Sequence, residues 1–336
     1  MYFQTVFYPR GLAFPKPPNS RETMLKKLFF GTLAISLTAC GAETTSAQAT
    51  KTETKAATNT AEAPKQDITT QELGDGFYML LGPGGNIGVS VGDDGVFVID
   101  DKFARFGDQI IGQIRAITDA PIRYVINTHY HGDHTGANVE MKDTGAVVVA
   151  HENVRKRMGM TFENKAFGRT IQATDAKLWP DLTYSENATF HFNGQTVHAL
   201  HTPSAHTDGD SILYFEDANI LHMGDNFFFG MFPYIDVDGG GSLSGMIASH
   251  QKALDLINDE TKIIPGHGPL AVKSDLIKTQ EMLKAIEKRV KDQIARGASL
   301  EDIIKKDILA DYAEFSSFID KDTMIKIAHR SIKLKN

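Results

Sequence analysis

Asn127-Thr-His-Tyr-His-Gly-Asp-His-Thr-Gly136 carries three histidines and one aspartate within six residues: His129, His131, Asp133 and His134. It follows Arg123-Tyr-Val-Ile-Asn127, which reads as a buried strand. Alternate side chains of a segment leaving a strand point the same way, so His129 and His131 are placed to grip one ion from one side. Asp133 and His134 come after a glycine that lets the chain turn, and reach toward a second ion nearby. Imidazole and carboxylate ligands suit zinc, and also iron or manganese. The competing explanation is a polar loop or a set of satisfied buried histidines. It explains one histidine better than this cluster, whose groups need something to hold them so close together.

The pattern His-x-His-x-Asp-His after a strand resembles the signature of the metallo-β-lactamase superfamily of hydrolases. The resemblance runs over about residues 73–269 and implies three further ligands, each at a strand end: a histidine, an aspartate and a last histidine. In His201-Thr-Pro-Ser-Ala-His206-Thr the family pattern puts the ligand directly before a Thr that precedes the next strand. That selects His206 and leaves His201 as a neighbour behind the ligands. Gly224-Asp225-Asn226 matches the family's bridging aspartate, and Pro265-Gly-His267-Gly-Pro269 its final histidine. The implied set is His129, His131 and His206 on one ion and Asp133, His134 and His267 on the other, with Asp225 between them. An aspartate after the third strand recurs beside the metals in the family. Here it is Asp100, although the usual Asp-Thr-Gly continuation is replaced by Asp100-Asp101-Lys102. The implied cofactor is two zinc ions, which lower the pKa of a shared water to about 7. The implied chemistry is attack of the resulting bridging hydroxide on a carbonyl or phosphoryl centre, with Asp133 as the catalytic residue that orients it.

The remaining chain reads as mixed α and β. Strand patterns occupy residues 76–81, 86–91, 95–100, 146–150, 188–192, 196–200, 211–215, 219–223 and 262–265. Gly82-Pro-Gly-Gly85 reads as a loop between the first two. Helical periodicity covers 106–118, 244–257 and 274–297, the last with Ser274 as N-cap and Gly297 as its stop. Ser299-Leu-Glu-Asp302 resembles a capping box. Residues 151–181 read as irregular, a segment that often forms loops over the active site in the family. Asp236-Val-Asp-Gly-Gly-Gly241 reads as flexible, and Phe227-Phe-Phe-Gly-Met-Phe-Pro-Tyr234 as either core or an apolar pocket lining. Composition alone gives no finer class. The resemblance implies an α+β fold, a four-layer αββα sandwich, over residues 67–336.

The front of the chain differs. Met24-Leu-Lys-Lys27 is basic, residues 28–39 are an apolar run too short to span a bilayer comfortably, and Leu37-Thr-Ala-Cys40 resembles a lipoprotein processing site. Residues 1–39 are therefore expected to be an upstream extension and signal peptide, with lipidation at Cys40, the only cysteine. Residues 40–66, rich in Thr, Ala and Glu without an aromatic, are expected to be a disordered tether. Loss of residues 1–39 removes five basic groups and one acid and takes the net charge from −7 to −11. Such acidity argues against nucleic acid as a partner, and against anionic lipid except through the anchor. The expected location is the periplasmic face of the outer membrane, and the expected partner a small-molecule substrate.

Cys40 lies in the signal region, which excludes family branches that use a cysteine ligand. His131 speaks against the oxygen-reductase branch, which has glutamate there. Asp225 leans toward thioesterases, lactonases and phosphodiesterases, although Phe228 stands where lactonases often have tyrosine. The expected activity is β-lactamase-like or lactonase-like hydrolysis of a cyclic amide or ester. The alternatives are a glyoxalase-II-like thioesterase or phosphodiesterase, and a metal-binding accessory lipoprotein with little turnover.

Overall fold

The structure is a computed structural model that describes residues 68–166 and 168–335. The expected signal peptide, Cys40 and the tether lie outside the described residues, as does Phe167.

Two sheets make the centre. Strands β1 (Thr69–Gly74), β2 (Phe77–Leu81), β3 (Ile87–Gly92) and β4 (Gly95–Ile99) form an antiparallel meander. Helix α1 (Gly107–Ile117) then crosses over to β5 (Ile122–Asn127), parallel to β4. After the short helices α2 (Gly132–Thr135) and α3 (Asn138–Asp143), β6 (Val147–His151) adds in parallel. Helix α4 (Glu152–Met158) and a small hairpin, β7 (Phe162–Asn164) with β8 (Arg169–Ile171), precede β9 (Leu182–Tyr184), the outermost strand of this sheet. The second sheet runs in chain order: β10 (Asn187–Phe192), β11 (Gln195–His201), β12 (Ser211–Phe215), β13 (Ile220–His222) and β14 (Lys262–Ile264). Only its last pair, β13 and β14, is parallel, joined through helix α5 (Leu243–Leu256). Helices α6 (Lys273–Ala295), α7 (Leu300–Lys305) and α8 (Lys321–Lys335) follow.

Alternation within strands builds the layers. Val96 and Val98 of β4 point toward Ile110 and Ile114 of α1, whereas Phe97 and Ile99 point between the sheets. There they meet Val197, Leu213, Phe215 and Ile264 from the second sheet. The far face of that sheet, with Ile212, Leu221 and Ile263, packs on Ala253 of α5 and Leu276 of α6. Helix, sheet, sheet and helix are thus four layers, the expected αββα sandwich.

Two readings change. Residues 151–181 are not irregular throughout: α4 starts where the His151 ring accepts from the Asn153 N–H, and it buries Val154 and Met158 against Tyr130. The charges of Arg155, Lys156 and Arg157 hid this short helix from a periodicity reading. Helix α6 begins earlier than Ser274, because the Asp275 carboxylate accepts from the Val272 N–H at 3.1 Å. Gly297, at φ +77°, follows the end of α6, and the Ser299–Asp302 capping box is present.

Candidate metal centre

The parallel pairs β4–β5 and β13–β14 lead their outgoing loops to one rim of the sandwich. Past β4 comes Asp100, and past β5 come His129, His131, Asp133 and His134. Past β13 comes Asp225, past β14 His267, and the β11–β12 connection supplies His206. The two sheets are tied together here: the Asn86 N–H donates to Gly266 O, and Asn86 Nδ2 donates to the carbonyls of Pro265 and Gly268. That fixes the backbone on both sides of His267.

The structure brings the seven named side chains together in two groups around Asp225. His129, His131, His206 and Asp225 form one group of potential ligand atoms, and Asp133, His134 and His267 the other. His131 Nδ1 lies 3.2 Å from His129 Nε2 and 2.9 Å from His206 Nε2. These separations approach the ~3.3 Å edge of a tetrahedron with ~2.0–2.1 Å from centre to corner, the zinc–imidazole distance. Asp225 divides its oxygens between the groups. Oδ2 is 3.7 Å from His129 Nε2 and 3.5 Å from His206 Nε2. Oδ1 is 3.1 Å from His134 Nε2 and 3.3 Å from His267 Nε2. Asp133 Oδ2 is 3.4 Å from His267 Nε2.

Four of the five imidazoles are held from behind. His134 Nδ1 donates to Asp100 Oδ2 at 2.7 Å. Asp100 also accepts from the N–H and the hydroxyl of Thr128, so the Thr128 oxygen is left to accept from His129 Nδ1 at 3.0 Å. His206 Nδ1 donates to Tyr234 O at 2.7 Å, and His131 Nε2 to Asp236 Oδ2 at 3.1 Å. Each bond commits the proton to the outer nitrogen and leaves a lone pair on the inner one. This is how metal-binding histidines are oriented.

Two buried atoms of the centre, His134 Nε2 and Asp225 Oδ1, have no hydrogen-bond partner. They lie 3.1 Å from each other without a well-aligned hydrogen bond, and buried lone pairs converging in this way are costly unless a cation lies among them. The donor set therefore fits metal binding. The electrostatics agree. Burial, and then the neighbouring His134, hold His129 far below its ordinary range, and burial takes His206 down to about 4. Burial would depress His267 as well, but the carboxylates of Asp225 and Asp133 outweigh it and raise it to about 9. Asp133 is lowered to about 2, its burial outweighed by His134 and His267. The carboxylates hold positive charge in the centre even as protons.

His201 is not among the seven. It stacks on His151 at 3.7 Å, and its Nδ1 donates to Asp210 O. Of the Phe227–Tyr234 run, Phe227 and Phe232 are core, whereas Phe228 stacks on His267 at 5.0 Å. The Asp236–Gly241 segment, expected to be flexible, is an ordered turn. Asp236 is buried, and its carboxylate accepts from the Gly239 N–H as well as from His131 and Tyr130.

Sequence reasoning missed Asp236, and it missed the part played by the glycine loop. A Cβ on Gly85 would stand 2.1 Å from His134 Cε1, so only glycine lets that loop lie against the ring. Lys102, fully buried, donates to Gly85 O at 2.5 Å and fastens the loop there. Burial lowers its ammonium to about 8. Asp100 and Lys102 both hold left-handed backbone, at φ +62° and +59°. The irregular Asp100-Asp101-Lys102 was the available signal.

The profile of the metallo-beta-lactamase superfamily matches residues 80–267, which contain all seven side chains. The chain belongs to the metallo-beta-lactamase superfamily. Homologues in this superfamily are named as hydrolases. A probable metallo-hydrolase of Bacillus subtilis, YqgX, is 26% identical over 47% of this chain and 72% of its own length. A hydroxyacylglutathione hydrolase of Methylococcus capsulatus is 32% identical over 31% of this chain, but only 34% of that protein is spanned. Solved structures share the fold. A metallo-beta-lactamase from Pontibacter korlensis has a TM-score of 0.55 at 17% identity, covering 65% of this chain and 99% of that one. The sec-alkylsulfatase Pisa1 from Pseudomonas sp. has a TM-score of 0.61 at 16% identity, covering 78% and 50%. The protein is a metallo-hydrolase of this superfamily with a His/Asp site suited to metal.

Proposed function

We propose that the protein is a dinuclear zinc hydrolase that directs hydroxide to the carbonyl carbon of a cyclic amide or ester, breaking its acyl C–N or C–O bond. The observation that carries the reading is Asp225, whose two oxygens face two separate histidine groups across one buried carboxylate. When bound, the zinc ions supply an acidified shared water and polarise the electrophile. His129, His131 and His206 would hold one, and Asp133, His134 and His267 the other, with Asp225 common to both. Iron or manganese would suit the same nitrogen and oxygen donors. Asp133 has a side chain 23% exposed, against 5% for Asp225, and so is the carboxylate within reach of an arriving substrate. Its role is to orient the attacking water through a hydrogen bond.

A second reading, thioester hydrolysis, draws support from the likeness to the hydroxyacylglutathione hydrolase. We also propose export and attachment through a lipid on Cys40 to the periplasmic face of the outer membrane, where the substrate would be a small molecule.

Elemental analysis of the purified protein, followed by turnover of a β-lactam, an acyl-homoserine lactone, a thioester and an aryl phosphodiester, tests the reading. Two zinc equivalents and hydrolysis of the lactam or lactone are expected, with loss of both in His131→Ala and Asp225→Ala. Silence on all four substrates with two metals bound would instead favour a metal-binding accessory protein.

A further inference from the structure

Three rings stand nearly parallel at the edge of the metal centre. Phe228 and His267 are 5.0 Å apart with planes 20° from parallel, Phe228 and Phe318 5.8 Å and 18°, and His267 and Phe318 6.0 Å and 15°. Their exposure is graded: Phe228 1%, the His267 side chain 20%, Phe318 54%. The outermost of the three is therefore an apolar ring open to water, next to a ring whose Nε2 faces Asp133 and Asp225.

A single exposed phenylalanine is ordinary on a protein surface. This one is set apart by its place and by how firmly its segment is held. Phe315 O accepts from the Phe232 N–H at 2.8 Å. Arg289 forms a two-pronged pair with Asp311, and Lys321 pairs with Asp307. The next residue, Ile319, is buried in the core of the C-terminal helices. A Cβ on Gly84 would meet Phe103 Cε2 at 3.1 Å and Asp133 Cβ at 3.2 Å, so the glycine loop is closely packed beside Asp133. Phe318 borders the more exposed half of the centre through the His267 ring. Phe318 lies outside the segment that matches the superfamily profile, residues 80–267.

We infer that Phe318 is the specificity surface of the site, taking an apolar acyl or aryl group next to the bond that is cleaved. The substrate class is then an ester, thioester or lactone with an apolar arm of several carbons, in preference to a short or polar acyl compound. This inference rests on the hydrolase reading of the same centre. The ring supplies no group to the reaction. It gains apolar contact as the arm covers it, and that gain grows with arm length.

The test uses zinc-loaded full-length protein and a series of straight-chain carboxylates from acetate to octanoate as product stand-ins. Binding is measured by calorimetry, beside turnover of acyl esters of the same lengths. In the wild type, affinity is expected to rise about twofold per methylene, half the factor implied by full burial, because only one face of the arm is covered. Phe318→Ala should flatten this rise while leaving acetate affinity and the melting temperature unchanged, and Phe318→Leu should keep most of it. Leu182→Ala, at an exposed apolar residue on the sheet-edge strand β9, should change nothing. Equal slopes in wild type and Phe318→Ala overturn the inference, as does equal weakening of acetate and octanoate, or no carboxylate binding at all. Turnover with an unchanged slope sinks the inference and spares the hydrolase reading. A Phe318-dependent slope without turnover of any ester in the series or of the four panel substrates does the reverse.

Discussion

Asp236 Oδ2 accepts from His131 Nε2 at 3.1 Å and also from the Tyr130 hydroxyl, so one carboxylate steadies two consecutive residues of the metal motif from 105 positions away. The bond fixes which His131 nitrogen carries the proton and turns Nδ1 toward His129 and His206. Asp236→Ala is expected to weaken zinc binding about 10- to 100-fold. Asp236→Asn, which keeps an acceptor oxygen, should lose less. Competition against a chromophoric chelator measures both, and far-ultraviolet circular dichroism checks the fold. Undiminished affinity in Asp236→Ala would show that the ring needs no support from behind.

The metal-stripped protein should have an optimum of stability near pH 6.5, where two opposed trends meet. Burial depresses His206, His222 and His250 to about 4, so unfolding takes up protons between about 4 and 6.5 and stability rises with pH there. His267, raised to about 9 by Asp225 and Asp133 against the effect of its burial, acts in the other direction. Its contribution is full below about 6.5 and is lost as pH climbs through 9. On the proposed reading a bound zinc ion would take over the role of that proton, so the loaded protein should lose the alkaline decline. Thermal melts at pH 5, 6.5 and 9, with chelator and with zinc, read the effect. A stripped protein more stable at pH 9 than at 6.5 would contradict the assignment.

Much of this was legible because two kinds of signal were strong. The alternation in strands such as residues 95–100 carries both faces of β4, with Val96 and Val98 toward helix α1 and Phe97 and Ile99 toward the facing sheet. The cluster at residues 129–134 stood out by the density of its ligand side chains, and the family resemblance it carries implied His206, Asp225 and His267. Asp236 and Phe318 were illegible for physical reasons. Both act across long separations in the chain, and neither has a local pattern: an Asp before Gly-rich sequence reads as a turn, and a lone Phe reads as core. Lys102 showed only as a departure from the usual continuation, and its bond to Gly85 O needs the folded loop to be seen.

Phe97 marks the middle of the inter-sheet core. Its ring meets Phe190 at 5.4 Å, and Phe192 and Phe215 at 5.8 Å, and it is 1% exposed. Phe97→Ala would leave a cavity lined by rings that cannot all move in, so a loss of about 3–5 kcal/mol is expected. The centre lies on the rim, not in this layer, so zinc stoichiometry should survive. Urea unfolding with parallel metal analysis separates the two effects. Loss of zinc from protein that remains folded would mean that the core sets the rim geometry more tightly than the layers imply.

Gly85→Ala is the smallest change that should disable half of the centre. The new methyl group would need to occupy space 2.1 Å from His134 Cε1 and 2.4 Å from its Nε2. His134 cannot retreat, because Asp100 holds its Nδ1 at 2.7 Å and the ring is fully buried. The loop cannot lift freely, because Lys102 Nζ binds Gly85 O and the Gly85 N–H donates to Asp133 O at 3.2 Å. Either the ring or the loop must shift: the ring carries a ligand atom of the Asp133, His134 and His267 group, and the loop is hydrogen-bonded to Asp133 O. On the proposed dinuclear reading, zinc content should fall from two equivalents toward one, with the His129, His131 and His206 group still filled and the secondary structure intact. Elemental analysis and circular dichroism of the variant decide the matter. Two equivalents retained at wild-type affinity would show that the glycine is there for the turn and not for the metal.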